Sequence, residues 1–250
     1  MSLRSCGLLT FALLTFCFCA SASLAAPTPC QSITVEGAAY TICEVDLRRY
    51  AVRLFWRKPD GDPYGSLAAL PPTQRAGRLI FAMNAGMYAP DYRPVGLYVE
   101  NGRELVRAST KPGPGNFGMR PNGIFYVTGE TAGVLDTVSF LRKRPAADFA
   151  TQSGPMLVID GQLHPRFGRG HSRKFRDGVG VRDAHTAVFA ISDTEVTFSD
   201  FARLFRDRLK CDNALFLDGG SAPSLYAPEL RRNGNLFPLG PMIGVYERAP

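Results

Sequence analysis

Short apolar segments of four to eight residues, repeatedly broken by glycine, proline and asparagine, limit this chain most. They run Ile33–Tyr40, Tyr50–Trp56, Leu79–Met83, Gly96–Glu100, Gly123–Val127, Val134–Phe140, Met156–Ile159, Thr186–Ile191, Glu195–Phe198, Ala214–Leu217 and Met242–Tyr246. Such runs are strand-sized and too short for core helices. With 25 Gly and 19 Pro in 250 residues, a helical bundle is a poor fit. The turn dipeptides Asp60-Gly61, Asn101-Gly102 and Asp160-Gly161 predict hairpins and antiparallel pairing. One amphipathic helix stands out, with Phe201, Leu204, Phe205 and Leu209 on one stripe and Ser199 or Asp200 as its cap. Weaker helices are expected near Gly65–Leu70 and Pro145–Gln152. The fold class is therefore α+β, a large twisted, mainly antiparallel sheet with a few flanking helices.

The first 26 residues contain one base, Arg4, and no acid, and Gly7–Ala20 is apolar before the small-residue exit ASASLAA. That layout is a secretory signal peptide, with cleavage after Ala22 or Ala25. The expected organisation is a leader over 1–25 and one domain over 26–250, periplasmic or secreted. No later segment is apolar enough to insert in a membrane. Loss of the leader removes one of 29 bases and leaves 22 acids, a mature charge of +6. The excess of bases suits anionic ligands, but an exported chain without a nucleic-acid-binding module argues against nucleic acid.

Cys30 and Cys43 bracket QSITVEGAAYTI, which alternates on both sides of Glu36-Gly37. A hairpin turning there sets the two cysteines opposite one another, and export favours their oxidation to a disulfide. Two unpaired buried thiols are the other reading. Cys211 has no metal-ligand spacing and is read as structural.

Four polar stretches follow apolar strands. Asn84 and Gly86 lie in MNAGMY, either a tight turn or an amide beside an approachable backbone. Asn122-Gly123 is first a turn signal. Gln152-Ser153-Gly154-Pro155 leads to a basic loop with Arg166, Arg169, Arg173, Lys174 and Arg176, anchored by Phe167 and Phe175. That loop is either a solvated face or an anion-binding loop. Finally, the run ALFL delivers Asp218 to Gly219-Gly220-Ser221, a turn or an accessible carboxylate. No HExxH, G-x-S-x-G, phosphate loop or dinucleotide fingerprint is present in the sequence. No cofactor is expected, although Asp218 with Asn84 has the oxygen donors for a hard divalent cation.

As an ordered set, FAMNAGMY (81–88), PVGLYVENGR (94–103), GNFGMRPNGIFYV (115–127), ATQSGPMLVIDGQ (150–162), FRDGVGV (175–181) and NALFLDGGSAPSLY (213–226) resemble the phosphodiester glycosidase family. The resemblance implies an α+β domain whose loops share a cleft, and cleavage of a sugar from a small-molecule or glycan sugar-1-phosphodiester. It carries Asn84, Gly86, Asn122, Gly154, Gly219 and Gly220 over as substrate-binding positions, and Ser221, next to them in the chain, is expected to bind substrate with them. Asp218 becomes the base or nucleophile and Arg176 the group on the phosphate. Ala85, Met87-Tyr88 and Ser221-Ala222-Pro223-Ser224 depart from the family pattern, which leaves the sugar open. A non-catalytic binder of an anionic glycan, and a phosphodiesterase cutting P–O, are the competing functions.

Overall fold

Glu36 and Gly37 both take positive φ, +49° and +79°, and fold Cys30–Val35 back on Ala38–Asp46. Two successive left-handed residues give a turn whose twist matches the flanking strands. The resulting register sets Cys30 against Cys43, and the two are joined in a disulfide. This computed structural model describes residues 28–74, 77–169 and 171–248; the expected leader lies outside the described residues.

Three antiparallel sheets make up the fold. The seven-stranded sheet runs, edge to edge, through Cys30–Val35, Ala38–Asp46, Thr186–Ser192, Arg176–Asp183, Asn213–Gly219, Met156–Ile159 and Gln162–Leu163. The five-stranded sheet orders Arg103–Val106, Tyr98–Glu100, Phe149–Ser153, Gly123–Thr128 and Thr131–Asp136. The third orders Arg232–Gly234, Leu225–Ala227, Gly77–Asn84, Met242–Glu247 and Tyr50–Phe55, with Thr73–Gln74 paired to Gly77–Asn84. Strands and bridges account for 47% of the described residues and helices for 14%, so the α+β expectation holds. The hairpins at Asn101-Gly102 and Asp160-Gly161 form as expected. No helix among the described residues is long and apolar enough to cross a membrane.

Alternation along the strands divides the core. From the seven-stranded sheet, Val179, Phe189, Ile191, Leu215 and Leu217 enter a central cluster with Phe81, Phe125 and Val245 of the other two sheets. Val188, Ala190, Ala214 and Phe216 point the other way and pack under Phe201, Leu204, Phe205 and Leu209. The helix lies close because Gly180 has no side chain: a Cβ there would sit 2.8 Å from both Cys211 Sγ and the Phe205 ring. Cys211 is a buried free thiol in this packing.

Several local expectations are corrected. The helix begins at Phe198, and its cap is Thr197, not Ser199 or Asp200. Thr197 Oγ1 accepts the Asp200 N–H at 3.1 Å while the Asp200 carboxylate accepts the Thr197 N–H at 3.2 Å, a reciprocal capping box. After Arg203 the helix widens into a π turn over Leu204–Arg208. The expected strand 134–140 ends at Asp136, which caps a helix over Thr137–Lys143 by accepting the Ser139 N–H at 3.0 Å. The expected helix 145–152 is instead the strand Phe149–Ser153, an inner strand of its sheet buried from Ala150 onward on both faces and so without alternation to mark it. Glu195–Phe198 forms only an isolated bridge at Val196.

Candidate active site

The strand Asn213–Gly219 is interior to its sheet, with Arg176–Asp183 on one side and Met156–Ile159 on the other. Near its end the pairing slips: Gly178 faces Phe216 but Arg176 faces Gly219, so three steps on one strand match two on the other. This is a β-bulge, and it interrupts the ladder at Leu217-Asp218. The Asp218 N–H is taken by a side chain, donating to Asp177 Oδ1 at 2.9 Å. Asp218 Oδ1 accepts the Gly219 N–H at 2.7 Å. The Asp218 carboxyl is mostly enclosed, and burial pushes its pKa up from 3.8 to about 6, against the lowering effect of the Gly219 N–H.

The other loops are stitched to this strand end. Ser153 Oγ donates to the Leu217 carbonyl, and the Phe216 N–H donates to the Pro155 carbonyl at 3.1 Å. Asn84 is 1% exposed, and its Oδ1 accepts the Ser224 N–H at 3.0 Å, tying the 84–88 loop to the segment after Asp218. The same bond turns the amide nitrogen of Asn84 inward. No acceptor meets Nδ2 with good hydrogen-bond geometry, nor any donor Asp177 Oδ2, yet the amide is near enough to favour the Asp177 carboxylate. The Asn84 amide and the Asp177 carboxyl are therefore neighbours, without a well-formed hydrogen bond between them.

Gly86 lies against the Thr151-Gln152 backbone, and its N–H donates to Thr151 Oγ1 at 3.2 Å. A Cβ on Gly86 would fall 2.3 Å from the Gln152 carbonyl oxygen, so what approaches this glycine is the neighbouring strand. Gly154 meets Asn122 in the same way, at 2.6 Å from its Cβ. The Asn122 amide is already engaged: Nδ2 donates to the Phe117 carbonyl at 3.0 Å and Oδ1 accepts the Thr137 hydroxyl at 2.8 Å. Gly219 packs on Phe216, whereas Gly220, at φ +74°, has nothing within 4 Å of a would-be Cβ, and Ser221 is exposed. The open side of the site is therefore Gly220-Ser221. Asp218 raises the pKa of the half-buried Tyr88, which places that phenol near the carboxyl, though burial is the larger cause. Tyr88 stacks on Tyr92 with centroids 6.1 Å apart and donates to the Pro238 carbonyl at 3.3 Å, next to Leu236 and Phe237, which are 95% and 61% exposed.

Arg176 belongs to the same strand end but looks the other way. Its Nε donates to the Val196 carbonyl and its Nη2 to the Ser172 carbonyl, each at 3.0 Å. The guanidinium lies over the Phe198 ring, 3.6 Å from its centroid. Only 3% of the residue is exposed, and burial lowers its pKa to about 10, with Asp200 the acid that acts on it. Of the two aromatics expected to anchor the basic loop, Phe167 does so, buried and stacked on Phe198, while Phe175 is 43% exposed. His164 is buried on Phe167 with its pKa lowered by burial.

Asp177 is the functional candidate the sequence reading missed. It is 0% exposed, and burial holds its pKa well above the usual carboxylate range, with Asp218 adding to the rise. Its signal was an acid inside the buried strand RDGVGV. A cavity of about 430 Å³ lined by Glu36, Tyr40, Arg173, Asp200 and Arg203 is elsewhere, on the helix side of the hairpin. The loops singled out in the sequence are tied instead to the strand end that carries Asp218. Among the described residues no group of three or more His, Cys, Asp or Glu gathers as a metal centre.

The phosphodiester glycosidase family model matches residues 77–246, the stretch that contains all of these loops. The chain belongs to the phosphodiester glycosidase family. It is 38% identical over 190 residues to the uncharacterised protein YigE of Escherichia coli strain K12, covering 75% of this chain and 72% of that one. Its fold is similar to the catalytic domain of zebrafish N-acetylglucosamine-1-phosphodiester α-N-acetylglucosaminidase, auto-inhibited by its pro-peptide (TM-score 0.61, 14% identity, 88% of this chain and 82% of that chain). A hypothetical protein from Synechocystis is a further structural neighbour (TM-score 0.55, 15% identity, 88% and 61%).

Proposed function

We propose that this phosphodiester glycosidase is an exported hydrolase that cleaves the C1–O bond of a sugar-1-phosphodiester, with Asp218 as base or nucleophile. The observation that carries this reading is one partly accessible carboxyl, Asp218, held by a bulge to which the neighbouring loops are tied, with its pKa raised to about 6 and Gly220-Ser221 open beside it, while the adjacent Asp177 is fully buried. A carboxylate tuned near neutrality suits removing a proton from water or facing an oxocarbenium-like C1.

One well-placed carboxyl suffices because the leaving group is a phosphate monoester, whose second pKa of about 6 lets it depart with little proton assistance. What it needs is positive charge. Arg176 is a desolvated cation with no carboxylate at ion-pair distance among the described residues, and two of its nitrogens are already held by carbonyl oxygens. Nη1 is the nitrogen left for a phosphate oxygen; the Arg176 backbone pairs with Gly219, while its guanidinium turns from the Asp218 side toward Phe198. An anion there would relieve the cost of burying the guanidinium. Tyr88 and Ser221 rim the sugar side, and Asn84, Gly86, Asn122 and Gly154 hold the loops.

Export through the expected leader places the enzyme in the periplasm or outside the cell. The Cys30–Cys43 disulfide supports an oxidising destination. The test is a screen of the mature protein against several sugar-1-phosphodiesters in ¹⁸O water, with Asp218→Asn as control. Free sugar carrying the label supports the reading. Label in phosphate would replace it with P–O cleavage, and binding without product would make the chain a glycan-phosphate binder.

A further inference from the structure

We propose that Asp177 is a positioning residue for Asp218: its buried carboxyl replaces the lost ladder partner of the Asp218 N–H and locks the bulge that presents the Asp218 carboxyl to the loops. The inference rests on the glycosidase reading above and extends it to a second acid. A bulge leaves one N–H without its strand partner, and a buried unpaired N–H is costly. Here that N–H donates to Asp177 Oδ1 at 2.9 Å, from a side chain with no exposure at all.

Nothing in the packing alone calls for an acid at this position. Val179 and Val181 follow on the same face of the same strand and are apolar. The groups that act on Asp177 are Asp218, the Asn84 amide, the Asp218 N–H and its own backbone N–H, with no cation among them. Burial and the neighbouring Asp218 both favour the protonated form of Asp177, while its Oδ1 accepts the Asp218 N–H. Asn84, fixed by the Ser224 N–H, packs beside it, so the 84–88 loop, Asp177 and Asp218 keep one register.

The experiment compares Asp177→Ala with Asp177→Asn in the mature protein, reading amide hydrogen exchange at Asp218 and the pH dependence of kcat and KM. The Asn variant keeps an acceptor for the Asp218 N–H and adds no charge. In Asp177→Ala, exchange at Asp218 should quicken and kcat fall, each about tenfold or more, while KM stays within about twofold; Asp177→Asn should hold both within about threefold and leave the acid limb of kcat in place. Unchanged exchange and kcat in Asp177→Ala would overturn the proposal, as would equal damage in both variants. If Asp177→Ala does not fold, Asp177→Asn decides alone by whether exchange at Asp218 stays protected. If the wild-type protein turns over no sugar-1-phosphodiester, the glycosidase reading fails, yet exchange at Asp218 still tests the anchor.

Discussion

Arg176 and Phe198 form one unit: the guanidinium carbon lies 3.6 Å from the ring centroid, and Phe167 stacks on the same ring at 5.0 Å. A desolvated cation–π contact is worth about 2 kcal/mol. Phe198→Leu keeps apolar volume but removes the ring face, so Tm should fall by about 2–8 °C, read by calorimetry. Arg176→Lys should not restore the contact, because an ammonium cannot lie flat on the ring while bonding both carbonyls. Arg176→Ala should reduce turnover of phosphate-bearing substrates more than that of an uncharged aryl glycoside. Equal losses on the two would remove the phosphate role.

Asp218 sets two pH dependences with opposite signs. Turnover should rise as pH climbs through about 6, since the ionised form acts, and Asp218→Asn should lose about 10²–10⁴-fold of kcat. Stability runs the other way. The folded pKa, about 6, lies above the unfolded value near 3.8, so the folded state holds the proton more tightly. That stabilisation is complete below about pH 4 and is lost as pH rises through 6, a difference of about 3 kcal/mol. Asp218→Asn should therefore melt higher than wild type at pH 8 and alike at pH 4. An equal melting difference at both pH values would contradict the burial of this carboxyl.

The disulfide closes a loop with a sequence separation of 13, which corresponds to about 3 kcal/mol in the chain-entropy account. Cys30→Ser with Cys43→Ser should lower Tm, and a reductant should lower wild type to the same value without affecting the double variant. A reductant-insensitive wild-type melt would show that the hairpin register alone holds this edge.

Gly86→Ala should be among the most damaging small substitutions. The new methyl would stand 2.3 Å from the Gln152 carbonyl oxygen and 2.5 Å from Thr151 Oγ1. Overpacking of that kind costs about 1–3 kcal/mol. Thermal melts should show it, and kcat should fall as well, because the 84–88 loop is displaced from Asp218. The exposed Gly102, at φ +73° with open space around it, offers a control of backbone strain without a clash.

Much of the fold was legible because its signals were local. Glu36-Gly37 and the alternation around it were enough for the hairpin and for Cys30 facing Cys43, while the bond itself still had unpaired thiols as its alternative. The stripe Phe201, Leu204, Phe205 and Leu209 gave the helix. What stayed hidden depended on burial from both sides: Phe149–Ser153 and Arg176–Asp183 show little alternation, being inner strands. The candidate site was legible as a set of loops, but not in its inner geometry. The slip between Gly178–Phe216 and Arg176–Gly219 leaves no trace in sequence, and it brings Asp177 to Asp218 while Arg176 turns to Phe198.

Because Asp218 rides on an interior strand, no hinge separates it from the framework. Its placement should survive wholesale replacement of the surrounding rim. Ser221, Leu236 and Phe237 are exposed at that rim and can vary without disturbing the strand, so on the proposed reading a change of substrate would come from these positions around an unmoved carboxyl.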